Sequence, residues 1–253
     1  VTPSFFELDD LDLKAQTLRQ ELVGLIESRA RNAPRSLQKE LGISDTSHPC
    51  NRRLAMGMLG IPRSNPEFDP LPSVIGTAVH SWLDDAAGFA NNELGRIRWL
   101  RETRVNITED LAGNSDLFDC DTGSVIDHKV LGNSSFKKNK KRLSAQYRRQ
   151  IHIYGYGFAR QGHTVNYVGA LLIPRSGLLS DAYLHLEPYD RSIVEEVLEN
   201  RNKVIALLAD LDIENNLELL DIFEKQGPSC LFCRWWSPNP EGPTQCGGVE
   251  DEY

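Results

Sequence analysis

Apolar and polar positions along the chain change period several times, and each change marks an element boundary. Between residues 10 and 31, Leu11, Leu13, Leu18, Leu22, Leu25 and Ile26 recur mainly at helical spacing. A second helix is expected over 50–59. Pro62, Pro66, Pro70 and Pro72 assign 61–72 to a loop, because proline lacks the N–H that a helix interior needs. From 73 to 94 the helical period returns, with Val79, Trp82, Leu83 and Ala86 on one side. Residues 99–107 and 113–120 then alternate or cluster apolar side chains, and 125–130 forms a third short run. Asp121-Thr122-Gly123 is a turn signal and predicts a hairpin between the last two. A helix over 143–160, strands over 165–173 and 182–186, and an amphipathic helix over 190–211 follow. Asp190 or Ser192 is the expected cap of that last helix. Residues 227–253 are rich in Gly, Pro, Cys and Trp and show no period, so something other than an apolar core must order them. This order predicts an α/β (α+β) fold with one central mixed sheet flanked by helices.

Composition changes that picture little. A chain of 253 residues, 40% hydrophobic and 25% charged, reads as an ordinary globular protein with one core and appended elements. No apolar run is long enough to span a bilayer, so no membrane partner is expected. Val1-Thr2-Pro3-Ser4 lacks the basic and apolar regions of a secretory signal, which makes the cytoplasm the default expectation.

Charge adds one feature. The net charge is −8, yet residues 136–149 read FKKNKKRLSAQYRR, with Lys137, Lys138, Lys140, Lys141, Arg142, Arg148 and Arg149 and no acid. Acids gather later, at Glu195, Glu196 and Glu199 and in Glu250-Asp251-Glu252. A local basic stripe on an acidic protein is compatible with nucleic-acid binding at one site, but for the charge run alone a solvated loop is the better reading.

Candidate chemistry lies in two strand segments, Gly113-Asn114-Ser115-Asp116 and Asp127-His128-Lys129. Asp127 and Lys129, two residues apart on a strand, project from one face. A carboxylate and an ammonium there are costly to bury without a partner or a task. Hairpin pairing brings Asp116 close to Asp127, and two carboxylates can hold Mg²⁺ or Mn²⁺. A bound ion would polarise a phosphodiester and activate water, with Lys129 orienting that water or neutralising developing charge. Taken alone, the Asp127–Lys129 pair is better read as a structural salt bridge.

The five cysteines, Cys50, Cys120, Cys230, Cys233 and Cys246, are odd in number and do not suggest a disulfide framework. Cys230-Leu231-Phe232-Cys233 points to metal or redox chemistry. Four thiolates suit zinc or an iron–sulfur cluster equally well. Cys120, on a strand, is expected to be a small buried apolar residue.

Flanking residues carry a resemblance. Gly76-x-x-x-His80, Gly113-x-x-Asp116, Asp127-x-Lys129 and Gln150-x-x-x-Tyr154, in that order, resemble the motif series of the RecB-like PD-(D/E)XK nucleases. The resemblance implies a restriction-endonuclease-like core and a DNA exonuclease or end-processing nuclease. DNA would be the partner, single-stranded or with free ends. The setting would be recombination, repair, phage replication or CRISPR adaptation, with a recombination or CRISPR adaptation protein as a further partner. It implies His80, Asp116 and Asp127 as metal ligands, with the backbone carbonyl of Lys129 or Val130 as an extra one, and Lys129 as the catalytic lysine. Gln150 and Tyr154, one helical turn apart, would support the site or contact DNA. A histidine ligand tilts the choice toward Mn²⁺ over Mg²⁺. Asp84, one turn after His80, is a secondary candidate, and His128 and His152 are expected to point away.

One early and three late cysteines resemble the iron–sulfur subset of this class, which includes CRISPR-associated RecB-like exonucleases and AddAB-type nuclease domains. That implies a 4Fe–4S cluster on Cys50, Cys230, Cys233 and Cys246, although the twelve residues between Cys233 and Cys246 exceed the usual spacing. The division implied is 1–72, a helical region supplying one cysteine; 73–226, the nuclease core; and 227–253, the cysteine-rich segment. The basic residues from Lys137 to Arg149 become phosphate contacts. Arg234, Trp235 and Trp236 offer stacking surfaces for single-stranded bases, but packing around the cluster is the stronger reading. A rival reading is a non-enzymatic nucleic-acid-binding module ordered by zinc.

Overall fold

The computed structural model describes residues 5–32, 41–65, 69–226 and 230–249. Pro66 and the Glu250-Asp251-Glu252 tail lie outside the described residues. Two compact units are present: Val1–Lys39 with Asp69–Val74, and Glu40–Phe68 with Ile75–Tyr253. The first contains helix α1 (Phe5–Arg31), which starts earlier than the leucine spacing indicates and ends on Arg29 and Arg31, charges suited to a helix C-terminus. Its leucines Leu11, Leu13, Leu18, Leu22 and Leu25 are exposed.

The second unit holds the sheet. Two short helices, α2 (Ile43–Thr46) and α3 (Asn51–Met58), precede the long helix α4 (Leu71–Leu94), whose first residues fall in the first unit. Pro72 does not exclude a helix after all. It occupies the first turn, where its missing N–H has no intrahelical role, while Asp69 Oδ1 accepts the Leu71 N–H at 2.8 Å. Strands β1 (Trp99–Asn106), β2 (Ala112–Asp119) and β3 (Ser124–Leu131) form an antiparallel meander. Helices α5 (Asn133–Lys141) and α6 (Ala145–Arg160) cross over to β4 (Tyr167–Pro174), which lies parallel to β3. Strand β5 (Tyr183–Pro188) adds antiparallel at the edge, and α7 (Arg191–Asp210) follows, capped by Asp190 through the Ser192 N–H. Strand order is β1-β2-β3-β4-β5. This is the central mixed sheet flanked by helices that a restriction-endonuclease-like core requires. Among the described residues, no helix is long and apolar enough to cross a membrane.

Helix α5 is the element that periodicity missed. Its sequence, NSSFKKNKK, offers Phe136 as its one large apolar side chain, so no apolar stripe signals it. Phe136 is buried all the same, and Asn139 caps the next segment by accepting the Ser144 N–H. Ser144 in turn accepts the Tyr147 N–H and starts α6.

The main core lies between α6, α7 and one face of the sheet. Ile151, Ile153 and Phe158 of α6 meet Phe118, Val125, Val168 and Leu172 of the strands and Val194 and Val197 of α7, all buried. Phe118 stacks on Phe158 at 4.5 Å between centroids, a contact worth about 0.5–1.5 kcal/mol beyond its buried area. Gly157 lets α6 approach β1: a Cβ there would stand 2.6 Å from Val105 Cβ. A second core joins Leu54, Ala55 and Met56 of α3 to Val204 of α7, Ile213, Leu220, Phe223 and Trp235.

The C-terminal segment is bound into this second core by polar contacts. Buried Arg52 donates to Asp221 Oδ1 at 2.7 Å and to the carbonyls of Pro243 and Gln245 at 2.8 and 3.2 Å. Asn65 Nδ2 donates to the carbonyls of Leu231 and Cys233.

Candidate active site

The β2–β3 ladder ends at Leu117–Ile126, one residue short of Asp116 and Asp127. Beyond it β2 stays paired with β1, and β3 stays paired with β4. The strands therefore part, and the two carboxylates stand where they separate. The His128 N–H, left without a ladder partner there, donates to Asp116 Oδ2 at 2.6 Å. Asp116 Oδ1 lies 3.2 Å from His80 Nδ1 of α4. Of the four motifs, Gly76-x-x-x-His80 and Gly113-x-x-Asp116 thus meet directly.

The other two meet on the α6 side. Lys129 Nζ stands 2.6 Å from Asp127 Oδ2 and donates to Gln150 Oε1 at 3.1 Å. Gln150 Nε2 donates to Tyr154 Oη at 3.4 Å. Asp127 is 2% exposed, and its Oδ2 has an ion pair but no well-directed hydrogen bond. That oxygen is already met by the Lys129 ammonium, so the fit to a metal rests on the donor set: carboxylates from Asp116 and Asp127 and an imidazole from His80 suit a divalent ion. Tyr147, absent from the motif series, belongs here too: Lys129 Nζ sits 4.9 Å from its ring centroid. It precedes Gln150 by three residues and Tyr154 by seven, so helical spacing alone puts all three on one face.

The surroundings separate the two carboxylates electrostatically. Burial alone would raise Asp116, but the hydrogen bond and charge of His80 and the His128 N–H hold it below the usual carboxylate range. Burial pushes Asp127 up, and the Asp116 charge adds to this while the Lys129 ammonium opposes it. His80 is raised, chiefly by its hydrogen bond to Asp116. His128 projects from β3 on the face opposite Asp127 and Lys129, yet it lies close to Asp116 and His80. Its Nδ1 lies 3.9 Å from Asp116 Oδ2, and its ring meets the His80 ring edge-on at 5.7 Å. Asp84 pairs through Oδ2 with Arg101 of β1 at 3.0 Å, while its Oδ1 is buried without a hydrogen bond. His152 is fully buried against Glu187 at 2.5 Å and accepts the Asp190 N–H.

The basic stripe divides. Lys137, Lys138, Lys140 and Lys141 of α5 and Arg142 are exposed on the segment that leaves the C-terminal end of β3. Arg148 donates to both Glu187 oxygens, at 2.8 and 3.1 Å, and Arg149 lies 3.9 Å from Glu196.

Cys50, Cys230, Cys233 and Cys246 line one cavity with His48, Arg53, Trp236 and Gly248. Each sulfur accepts a backbone N–H: Cys50 from Arg53 and Cys246 from Gly248, both at 3.4 Å, Cys230 from Val249, and Cys233 from Trp235. Such bonds favour thiolates, although burial raises the Cys230 and Cys233 thiols. No three of these sulfurs lie within 4.8 Å of one another. Thiolates around one zinc, each about 2.3 Å from the ion, would sit roughly 3.8 Å apart. Four thiols around one cavity suit zinc or an iron–sulfur cluster. Trp235 is buried and donates Nε1–H to the Ile61 carbonyl at 3.0 Å, so it packs and offers no stacking face. Cys120, expected to be buried, is exposed at the end of β2, where Asp119 turns into the hairpin.

No protein-family model matches the chain, and no curated protein matches it. Among solved structures it is similar to SSO0001, at 13% identity and a TM-score of 0.46 over 86% of this chain and 94% of that one. It is similar to a phage-related exonuclease from Haemophilus somnus 129PT, at 16% identity and a TM-score of 0.42 over 65% of this chain and 81% of that one. It is also similar to the alkaline exonuclease LHK-Exo from Laribacter hongkongensis, solved in complex with dAMP, at 14% identity and a TM-score of 0.44 over 73% of this chain and 94% of that one.

Proposed function

We propose that the chain is a metal-dependent PD-(D/E)XK deoxyribonuclease of the RecB-like kind, an exonuclease or end-processing enzyme acting on single strands or DNA ends. The observation that carries this reading is the parting of β2 and β3 at Asp116 and Asp127, with Lys129 held beside them by Asp127 and Gln150. Asp116 and Asp127, with His80, would hold a divalent ion, Mn²⁺ or Mg²⁺. When bound, that ion polarises the phosphodiester and makes water a competent nucleophile. Lys129 keeps its ammonium at the site through Asp127, Gln150 and the Tyr147 ring. From there it orients the attacking water or meets charge developing on the phosphate. Gln150, which itself donates to Tyr154, accepts one N–H of the lysine and so fixes its position. Exposed lysines of α5 receive the DNA backbone without reading sequence.

Cys50, Cys230, Cys233 and Cys246 would hold a 4Fe–4S cluster that ties the C-terminal segment to α3, a reading supported by their convergence on one cavity and by N–H donors that favour thiolates. DNA recombination, repair, phage replication or CRISPR adaptation is the setting this chemistry serves. The test is digestion of end-labelled single- and double-stranded DNA with Mn²⁺ or Mg²⁺ added and withheld. Progressive shortening from an end only with metal is the expected result; no cleavage of any end-bearing substrate with either ion contradicts the reading.

A further inference from the structure

His128 occupies the middle of Asp127-x-Lys129, and strand alternation sends its side chain to the face opposite theirs. That face meets α4, and the contact there is with His80. His80, Asp116 and His128 each offer one ligand atom, and the three atoms all lie within 4.8 Å of one another. Asp127 is not part of that group.

His128 is 5% exposed, and its ring packs edge-on against His80. Its Nδ1 faces Asp116 Oδ2 at 3.9 Å, beyond hydrogen-bond reach, while His80 Nδ1 lies 3.2 Å from Asp116 Oδ1. Two ligands each about 2.1 Å from one ion lie roughly 3–3.5 Å apart, so the two imidazoles flank the Asp116 carboxylate at separations close to those an ion would impose. His80 and Asp116 are partly exposed, which leaves an entry path from the α4 side.

We propose that His80, Asp116 and His128 form a site for a first-row transition ion, sharing Asp116 with the Asp116–Asp127 pair. It shares Asp116 and His80 with the ion site of the nuclease reading and rests on that reading only there. Two imidazoles and one carboxylate suit Mn²⁺, Co²⁺ or Zn²⁺ and discriminate against Mg²⁺, which prefers oxygen ligands and retains water. The site therefore sets which ion the carboxylates work beside.

The test is crystallographic and does not depend on activity. Crystals of the full chain are soaked in MnCl₂, and anomalous scattering locates the ion; the cysteine cavity is a separate position and is not confused with it. The expected result is a manganese peak about 2.0–2.2 Å from ring nitrogens of both His80 and His128. In solution, His128→Gln should weaken Mn²⁺ binding, followed by electron paramagnetic resonance, at least tenfold, and leave Mg²⁺ binding unchanged. Manganese bound between Asp116 and Asp127 with His128 unliganded overturns the proposal, as does wild-type Mn²⁺ affinity in His128→Gln. Either outcome leaves the nuclease reading standing, because that reading is decided by DNA cleavage in the Asp127 and Lys129 variants.

Discussion

Asp116 and Asp127 occupy corresponding positions just past the last β2–β3 pair, yet their settings differ. Asp116 takes a backbone N–H and faces imidazole; Asp127 is sealed beside Lys129. Pairs of carboxylates pushed apart in this way commonly divide roles in catalysis. Asp119, three residues on, is structural by contrast. Arg98 grips both its oxygens at 2.8 and 2.9 Å, Thr122 donates at 2.8 Å, and the Asp121 N–H closes the turn. These partners, the Arg98 hydrogen bond foremost, hold its carboxyl below the usual range. A depressed carboxyl contributes stability that is present above its unfolded value of about 3.9 and is lost as pH falls through the folded value. Asp119→Asn should therefore destabilise by about 1–3 kcal/mol at neutral pH, with the difference from wild type shrinking below pH 4 (about the unfolded value) in urea melts. A difference that stays constant into acid contradicts this account. The Asp127–Lys129 pair was legible because alternation puts both on one face. Alternation also sends His128 to the other face; that α4 brings His80 against that face is a tertiary fact, which no local spacing expresses.

At the scale of elements, α6 carries both core and site. One face supplies Tyr147, Gln150 and Tyr154 to Lys129, and another supplies Ile151 and Phe158 to the sheet. Its approach to β1 depends on Gly157. Gly157→Ala would place Cβ within 2.6–3.0 Å of Val105 and Ile107, side chains that are themselves fully buried. The expected cost is about 1–3 kcal/mol, read as a melting point lower by roughly 2–4 °C per kcal/mol; an unchanged melting point contradicts the packing described. Long amphipathic helices and the hairpin were legible from period and turn residues. Helix α5 was not, because it is held by one buried phenylalanine and one buried asparagine rather than by an apolar stripe. Pro72 misled for a related reason: its effect depends on position within the helix, which composition does not give.

Over the whole molecule, the cysteines join residues 180 to 196 positions apart in the chain: Cys50 to Cys230 and to Cys246. Their convergence was inferred from a resemblance, since nothing local links Cys50 to the C-terminal segment. Arg52 reinforces the connection from the same helix. A cluster-loaded protein should be brown, with absorbance near about 400 nm from thiolate-ligated iron. Cys50→Ala or Cys233→Ala should abolish that band and loosen the C-terminal segment to protease, because site binding energy contributes to folding here. Stoichiometric zinc in a colourless preparation would instead favour a mononuclear ion.

The proposed hydrolysis of DNA rests on Asp116, Asp127 and Lys129. The rate of end-labelled strand digestion in Mn²⁺ by wild type, Asp127→Ala and Lys129→Ala, each shown to be folded by circular dichroism, tests it most directly. Both variants are expected to lose at least about a hundredfold in rate while DNA binding through α5 persists. Undiminished cleavage in both variants contradicts it.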